Sequence, residues 1–347
     1  MLNKPVVLLL LCLALATATS TFDLTKFERT QITEEDFEQL FGLYRIHKAP
    51  FHIEPSVERY NYFKSRVQSI INHNKNPNKT YRRTITKFTG LTVDELKGVT
   101  LMESQNCSAT HPSEPASQGY TVFPDYFDWR QAGVVSKVKD QGNCGSCWTF
   151  STTGAVESHW ALFKATKPPL LSEQQLVDCA GDFNNFGCNG GLPSQAFQYI
   201  QANGGLESED SYPYKGVDQQ CSFDSSKIVA SVQYGSYNVT SGDEQGLQES
   251  LFTHGPVSIA FEVTDDFMDY DGGVYVGKTC HQDSAHVNHA VLAVGFGHDK
   301  TSNLDYWIVK NSWSTTWGEN GYFRIQRGVN MCGVAVCASY PQMRPPK

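Results

Sequence analysis

The chain has 347 residues, 40% hydrophobic and 18% charged, an ordinary globular balance with room for a processed leader plus one or two cores. A formal net charge of -8 argues against nucleic acid as a partner, because such binders normally carry a basic patch that neutralises phosphates. The same figures exclude a fibrous or wholly disordered chain.

Residues 1–20 carry Lys4, an apolar run from Pro5 to Ala16, and the small residues Ala16, Thr17, Ala18 and Ser20. This is the pattern of a secretory signal peptide, and the run falls short of the ~20 apolar residues a membrane anchor needs. From Thr30 to Thr100 the chain is polar and lacks cysteine. It predicts a leader domain with a helix over Glu58 to Asn74, where Phe63, Val67, Ile70 and Ile71 share one face. Ser108 to Tyr120 reads as an exposed linker suited to cutting. The expected division is 1–20 signal peptide, 21–122 leader and 123–347 catalytic body.

Within the body, Ser146 to Lys164 predicts a mostly buried helix, with Cys147 in its first turn. Ser172 with Gln175, and Ser241 with Glu244, read as capping boxes, the second before a helix ending at Gly255-Pro256. Beyond Val257 the pattern changes. Val257, Ile259, Phe261 and Val263 alternate with other residues, His289 to Gly295 and Tyr306 to Val309 are apolar runs, and Gly321 to Arg327 alternates again. The expected fold is α+β: a helical lobe, then a mainly antiparallel sheet lobe, with a cleft between them.

Ten cysteines are present, and Cys12 leaves with the signal peptide. Nine is odd, so in an oxidising compartment eight pair and one stays a thiol. Cys147 is the candidate nucleophile, because the unpaired N–H groups and dipole at a helix start favour a thiolate. Gln141, on the approaching loop, can present a side-chain N–H which, with the backbone N–H of Cys147, receives the oxygen of a tetrahedral intermediate. His289 starts one strand and Asn311 ends another. On adjacent antiparallel strands they meet, so that Asn311 orients the imidazole and Trp313 covers the bond. The competing reading is a disulfide oxidoreductase using Cys144 and Cys147, but the order of elements lacks the alternation that fold requires.

The strings Cys144-Gly145-Ser146-Cys147-Trp148, Asp128-Trp129-Arg130, Leu171 to Cys179, Gly187 to Gly191 and Gly318 to Tyr322 resemble the papain family of cysteine peptidases over about Phe123 to Tyr340. The resemblance implies a papain-like two-lobe fold behind a helical prodomain, and bridges Cys144–Cys188, Cys179–Cys221 and Cys280–Cys332. It also implies a substrate-binding role for Gly191, with its neighbour Gly190, and for Trp313. Glu103 to Thr110, Asp182 to Asn185 and Cys337 to Pro341 are similar to the cathepsin H branch. There an octapeptide of the leader stays as a disulfide-tethered mini-chain. That likeness implies a Cys107–Cys337 bridge and a mini-chain over 103–110. It further implies an aminopeptidase with residual endopeptidase activity, the Thr110 carboxylate attracting a free amine. The leader motif survives at Arg59, Phe63, Ile70 and Asn74. Pro55 and Arg66 stand where Glu and Asn are usual, Gly90 replaces an acid, and Ser104 and Ser314 also depart from the pattern.

Expected partners are peptide and protein substrates and the chain's own leader as an intramolecular inhibitor. A monomer is expected, with no membrane anchor, organic cofactor or metal, since no spare His/Cys/Asp cluster has ligand spacing. The route is secretory, to a lysosome or acidic vacuole or outside the cell. Asn78, Asn106 and Asn238 lie in glycosylation sequons expected on exposed loops.

Overall fold

The structure, a computed structural model, describes residues 24–47, 56–97, 99–103, 107 and 122–343. The signal-peptide region, the 108–120 linker, Pro55, Ser104, Asn106 and Thr110 lie outside the described residues.

The leader opens with helices α1 (Thr25–Arg29), α2 (Glu34–His47) and α3 (Val57–Lys75). Ser56 starts α3, its hydroxyl accepting the Arg59 N–H at 3.0 Å. The face carrying Phe63, Val67, Ile70 and Ile71 packs on Phe27, Phe37, Phe41 and Tyr44, giving the leader a core of its own. Strand β1 (Tyr81–Arg83) follows, then the short helix α4 (Val93–Leu96), which has a full capping box from Thr92 and Glu95. The Asn74 amide clips α3 to β1, donating to the Arg83 carbonyl at 2.8 Å and accepting the Arg83 N–H at 3.0 Å.

Gly90 proves to be a fitted position. Its N–H donates to the Tyr44 hydroxyl at 3.0 Å, and a Cβ there would lie 2.6 Å from the Tyr44 ring. Replacing Gly90 with alanine should therefore overpack the leader and cost about 1–3 kcal/mol. Thermal melting of the intact chain checks this, and an unchanged midpoint would mean that Tyr44 yields freely.

The body runs β2 (Phe127–Asp128), α5 (Cys147–Lys164), α6 (Glu173–Cys179), α7 (Pro193–Asn203), β3 (Leu206–Glu207), β4 (Ile228–Ala230) and β5 (Ser236–Asn238). Then come α8 (Glu244–His254), β6 (Val257–Phe261), α9 (Asp265–Met268), β7 (Tyr270–Tyr275), β8 (His289–Asp299), β9 (Leu304–Lys310), β10 (Tyr322–Gln326) and β11 (Ser339–Pro341). α5 is buried nearly all round, because one side packs on α6 and α7 and the other on β6, β8 and β11. The sheet runs β1-β7-β10-β9-β8-β6-β11-β5, with β2 beside β8, so the leader supplies an edge strand to the body's sheet. Its core is aromatic, built on Phe261, Phe267, Tyr270, Trp307, Trp313, Trp317 and Phe323.

Four details depart from expectation. Ser172 accepts the Gln175 N–H at 2.9 Å, but the Gln175 amide serves Tyr199, Gly205 and Glu207 instead, so only half a capping box forms. α8 is capped by Asp243, which accepts the Gly246 N–H at 2.9 Å, and not by Ser241; a carboxylate directly ahead of the first turn also complements the helix dipole. β6 is buried on both faces, since Ser258 meets Ser151 of α5 at 2.6 Å. β7 pairs with β10 in parallel within an otherwise antiparallel sheet.

Asn78 is exposed in a turn. The expectation that Asn238 stands on an exposed loop is corrected: it ends β5, paired to Ser339 of β11, and is 6% exposed. Among the described residues no helix is long and apolar enough to cross a membrane, and no His/Cys/Asp/Glu group has the arrangement of a metal site.

Candidate active site

The floor of the cleft is the start of α5. Cys147 is its first residue, fully buried, and its sulfur accepts the Ala290 N–H of β8 at 3.4 Å. One lobe therefore brings the thiol and the other brings the strand that carries His289. β8 and β9 are antiparallel, with Leu292 opposite Lys310, and this register sets His289 beside Asn311. His289 Nε2 lies 2.8 Å from Asn311 Oδ1. An amide oxygen only accepts, so the ring donates through Nε2 and keeps its lone pair on Nδ1. Among the described residues Nδ1 has no hydrogen-bond partner. Trp313 stacks on the imidazole at 4.6 Å, shielding the ring from water.

Gln141 is buried at the same place. Its Nε2 donates to the Cys144 carbonyl at 3.0 Å and to the Thr100 carbonyl of the leader at 2.7 Å, while its Oε1 accepts from Ser312 Oγ at 2.7 Å. The leader carbonyl thus occupies a position to which a side-chain N–H is already aimed. Gly191, in the loop before α7, makes no backbone hydrogen bond among the described residues, leaving its main chain available to an extended peptide. Gly190 corrects the expectation: its N–H goes to the Gly187 carbonyl and its carbonyl accepts from Phe186, so it is turned inward. Thr110 lies outside the described residues.

The leader fills the cleft. Met102 donates its N–H to the Asn288 carbonyl at 3.0 Å and packs among Ala260, Val287, Ala290 and Val336, and Phe88 sets its ring against Trp313 at 4.7 Å. Under this cover, burial pushes the Cys147 thiol up to about 11, although N–H groups of Ala290 and Trp148 pull the other way. Burial also holds the His289 imidazole down to about 4, against the pull of Asn311. In the covered site both groups are neutral. The helix start alone does not make Cys147 a thiolate here, because desolvation outweighs the dipole.

The cysteines pair as Cys144–Cys188, Cys179–Cys221, Cys280–Cys332 and Cys107–Cys337, and Cys147 is the free thiol among the described residues. With Cys144 bonded to Cys188, the Cys144/Cys147 pair is not a redox dithiol. The Cys107–Cys337 bridge ties the leader to a recess bordered by Met102, Leu192, Pro193, Val287 and Val336, next to the cleft.

Sequence reasoning missed the polar supports. Ser312 holds Gln141 twice, and Tyr214 holds the Gln141 carbonyl at 2.8 Å. Behind Asn311 lies a buried charge cluster. Lys139 bridges Glu157 at 2.8 Å and Glu173 at 2.6 Å, and Lys310 donates to Ser136 at 2.8 Å. Burial raises the Glu173 carboxyl, offset by Lys139, and lowers Lys310 to about 8. A glutamate inside a buried helix and a lysine closing an apolar strand are signals that could have revealed this cluster.

Residues 123–342 match the papain family cysteine protease domain and residues 51–96 the cathepsin propeptide inhibitor domain (I29). The chain is similar to pro-cathepsin H of Mus musculus, 52% identical with 82% of this chain and 84% of that one covered. Pro-cathepsin H of Bos taurus is 50% identical, covering 85% and 87%. Thiol protease aleurain of Arabidopsis thaliana is 47% identical, covering 86% and 82%. Among solved structures, digestive procathepsin L 3 of Tenebrio molitor larval midgut superposes with a TM-score of 0.77 at 38% identity, covering 88% of this chain and 99% of that one.

Proposed function

Because the chain belongs to the papain family of cysteine proteases, we propose that it is specifically an aminopeptidase with residual endopeptidase activity, and that Cys147, His289, Asn311 and Gln141 carry the chemistry. Cys147 Sγ attacks the scissile carbonyl carbon, and the carbonyl electron pair moves to oxygen. Gln141 Nε2 and the Cys147 N–H hold that oxyanion, where the Thr100 carbonyl now sits. His289 Nδ1, which takes the Cys147 thiol proton as the sulfur attacks, gives it to the departing amine as the oxyanion re-forms its carbonyl, leaving a thioester. Water then adds, His289 takes its proton, and the acid leaves as the sulfur recovers its electron pair. Asn311 fixes the ring plane throughout.

The observation behind the aminopeptidase reading is the Cys107–Cys337 bond. If cutting after Thr110 frees 103–110 from both neighbours, this bond keeps the segment beside the cleft. Its new carboxylate then excludes longer chains and binds a free N-terminal amine. A charge-assisted contact of this kind is worth about 1.5–3 kcal/mol, or about 10- to 100-fold. The mature enzyme should cleave a free-amine dipeptide substrate faster in kcat/KM than its N-acetylated form by that factor. Equal rates would leave a plain endopeptidase without a retained mini-chain.

The signal-like start, the four disulfides and the cathepsin H relatives support a secretory route to a lysosome or acidic vacuole. We take 21–122 as the removed segment apart from 103–110, and 123–347 as the peptidase.

A further inference from the structure

The two proposed oxyanion donors, Gln141 Nε2 and the Cys147 N–H, sit at opposite ends of a short loop, Gly142 to Ser146. Gly142 has φ +59°, a conformation that glycine adopts without strain, and the middle of the loop is drawn away by the Cys144–Cys188 bridge. Within the loop the Cys144 carbonyl accepts from Gln141 Nε2 at 3.0 Å and lies 3.4 Å from Ser146 Oγ, so one carbonyl faces both ends. A third segment spans it. The Tyr214 hydroxyl donates to the Gln141 carbonyl at 2.8 Å and lies 2.6 Å from Ser146 Oγ, the residue before Cys147. With the phenol proton on Gln141, the serine hydroxyl is the donor at the second contact, so the three groups form one directed chain. Tyr214 is itself held. Its N–H donates to Glu209 at 2.9 Å, and its ring stands edge-on to Phe150 at 5.0 Å.

We propose that Tyr214 is a positioning residue for the oxyanion site, its hydroxyl clamping the two ends of the Gln141–Cys147 loop at the spacing that a tetrahedral intermediate requires. The inference rests on the reading of Gln141 given under Proposed function. Tyr214 touches neither the sulfur nor the imidazole, so its effect should appear only where negative charge develops on oxygen.

The test uses the processed enzyme. Removing an oxyanion donor outright costs about 10²–10³ in kcat, so a misplaced donor should cost about tenfold. Tyr214→Phe, which keeps the ring, should lower kcat by about that factor with KM within about twofold. Its affinity for a peptide aldehyde, which Cys147 converts to a tetrahedral oxyanion adduct, should fall in proportion. The rate of Cys147 alkylation by iodoacetamide, which passes through no oxyanion, should stay unchanged. Ser146→Ala breaks the chain at its other end and should show the same signature more weakly; it provides the measurement if the Phe variant does not fold. An unchanged kcat, or alkylation falling in step with kcat, overturns the proposal. Gln141→Ala separates the two ideas: full activity there removes the oxyanion reading itself, whereas a large loss beside a silent Tyr214→Phe removes only the role of Tyr214.

Discussion

Replacing Arg66 with alanine should raise the rate at which iodoacetamide reaches Cys147 in the intact chain by on the order of 10²-fold. Arg66 lies on α3 of the leader with its side chain 7% exposed, and reaches Asp269 at 2.6 Å and Asp265 at 3.2 Å on the body. Arg83 of β1 contacts the same Asp269 carboxylate at 3.0 Å, and Thr89 donates to it at 2.8 Å. One fully buried carboxylate on the body therefore takes three donors from the leader. Deleting one partner of a buried pair costs about 3–5 kcal/mol because the other charge stays desolvated, and the lower end applies here because Arg83 remains. That energy falls on the closed state, since in the open state Asp269 meets water. Asp269→Asn should act in the same direction. The Arg66→Ala/Asp269→Asn pair should be far less than additive. Additive single effects would show that the two residues do not act on each other.

The covered site should also open from both ends of the pH scale. His289 is held down to about 4 when covered, against an ordinary 6.5. The closed state therefore keeps its full stability above about 6.5 and loses it as the pH falls towards 4, by up to about tenfold per unit. Cys147 is pushed up to about 11 from an ordinary 9.0, so the closed state loses ground again as the pH rises past 9. The measurement is the alkylation rate of Cys147 in the intact chain divided by that of the leader-free enzyme at the same pH, which cancels the reagent's own dependence. The ratio should be lowest between these limits and climb on the acid side. His289→Ala should flatten the acid limb. A ratio that is flat from pH 7 to 4 in the unaltered chain would exclude His289 as the sensor.

The two-lobe order was legible because periodicity changes at Val257, and α5, β6, β8, β9 and β10 lie within a few residues of their predicted positions, whereas β7 was not read from the sequence. The site was legible because its groups sit at element ends, where Cys147 starts a helix and His289 starts a strand. The supports were not. Tyr214 lies in a loop whose only sequence signal is a proline beside it, and its partners Gln141 and Ser146 are far from it in the chain. Arg66 looked like a loss from a leader motif, and only packing shows the long side chain reaching a carboxylate that a shorter amide would miss. The pairing of β1 with β7 was illegible for the same reason. A three-residue strand has no period to read, and its partner lies in another part of the chain.

That pairing has a later consequence. While β1 is in place, Tyr81 to Arg83 cover one side of β7. Cutting the leader away uncovers a row of main-chain N–H and C=O groups along Tyr270–Tyr275, an open template for strand addition by another molecule. The strand carries its own deterrent. Asp271, engaged by Arg82 at 2.7 Å until then, is left as an unpaired charge on the bare edge, next to two glycines that give an incoming chain no side chain to grip. While the leader is in place this side of β7 is not an open edge, and with the leader gone Asp271 leaves a charge that disfavours pairing there by another chain.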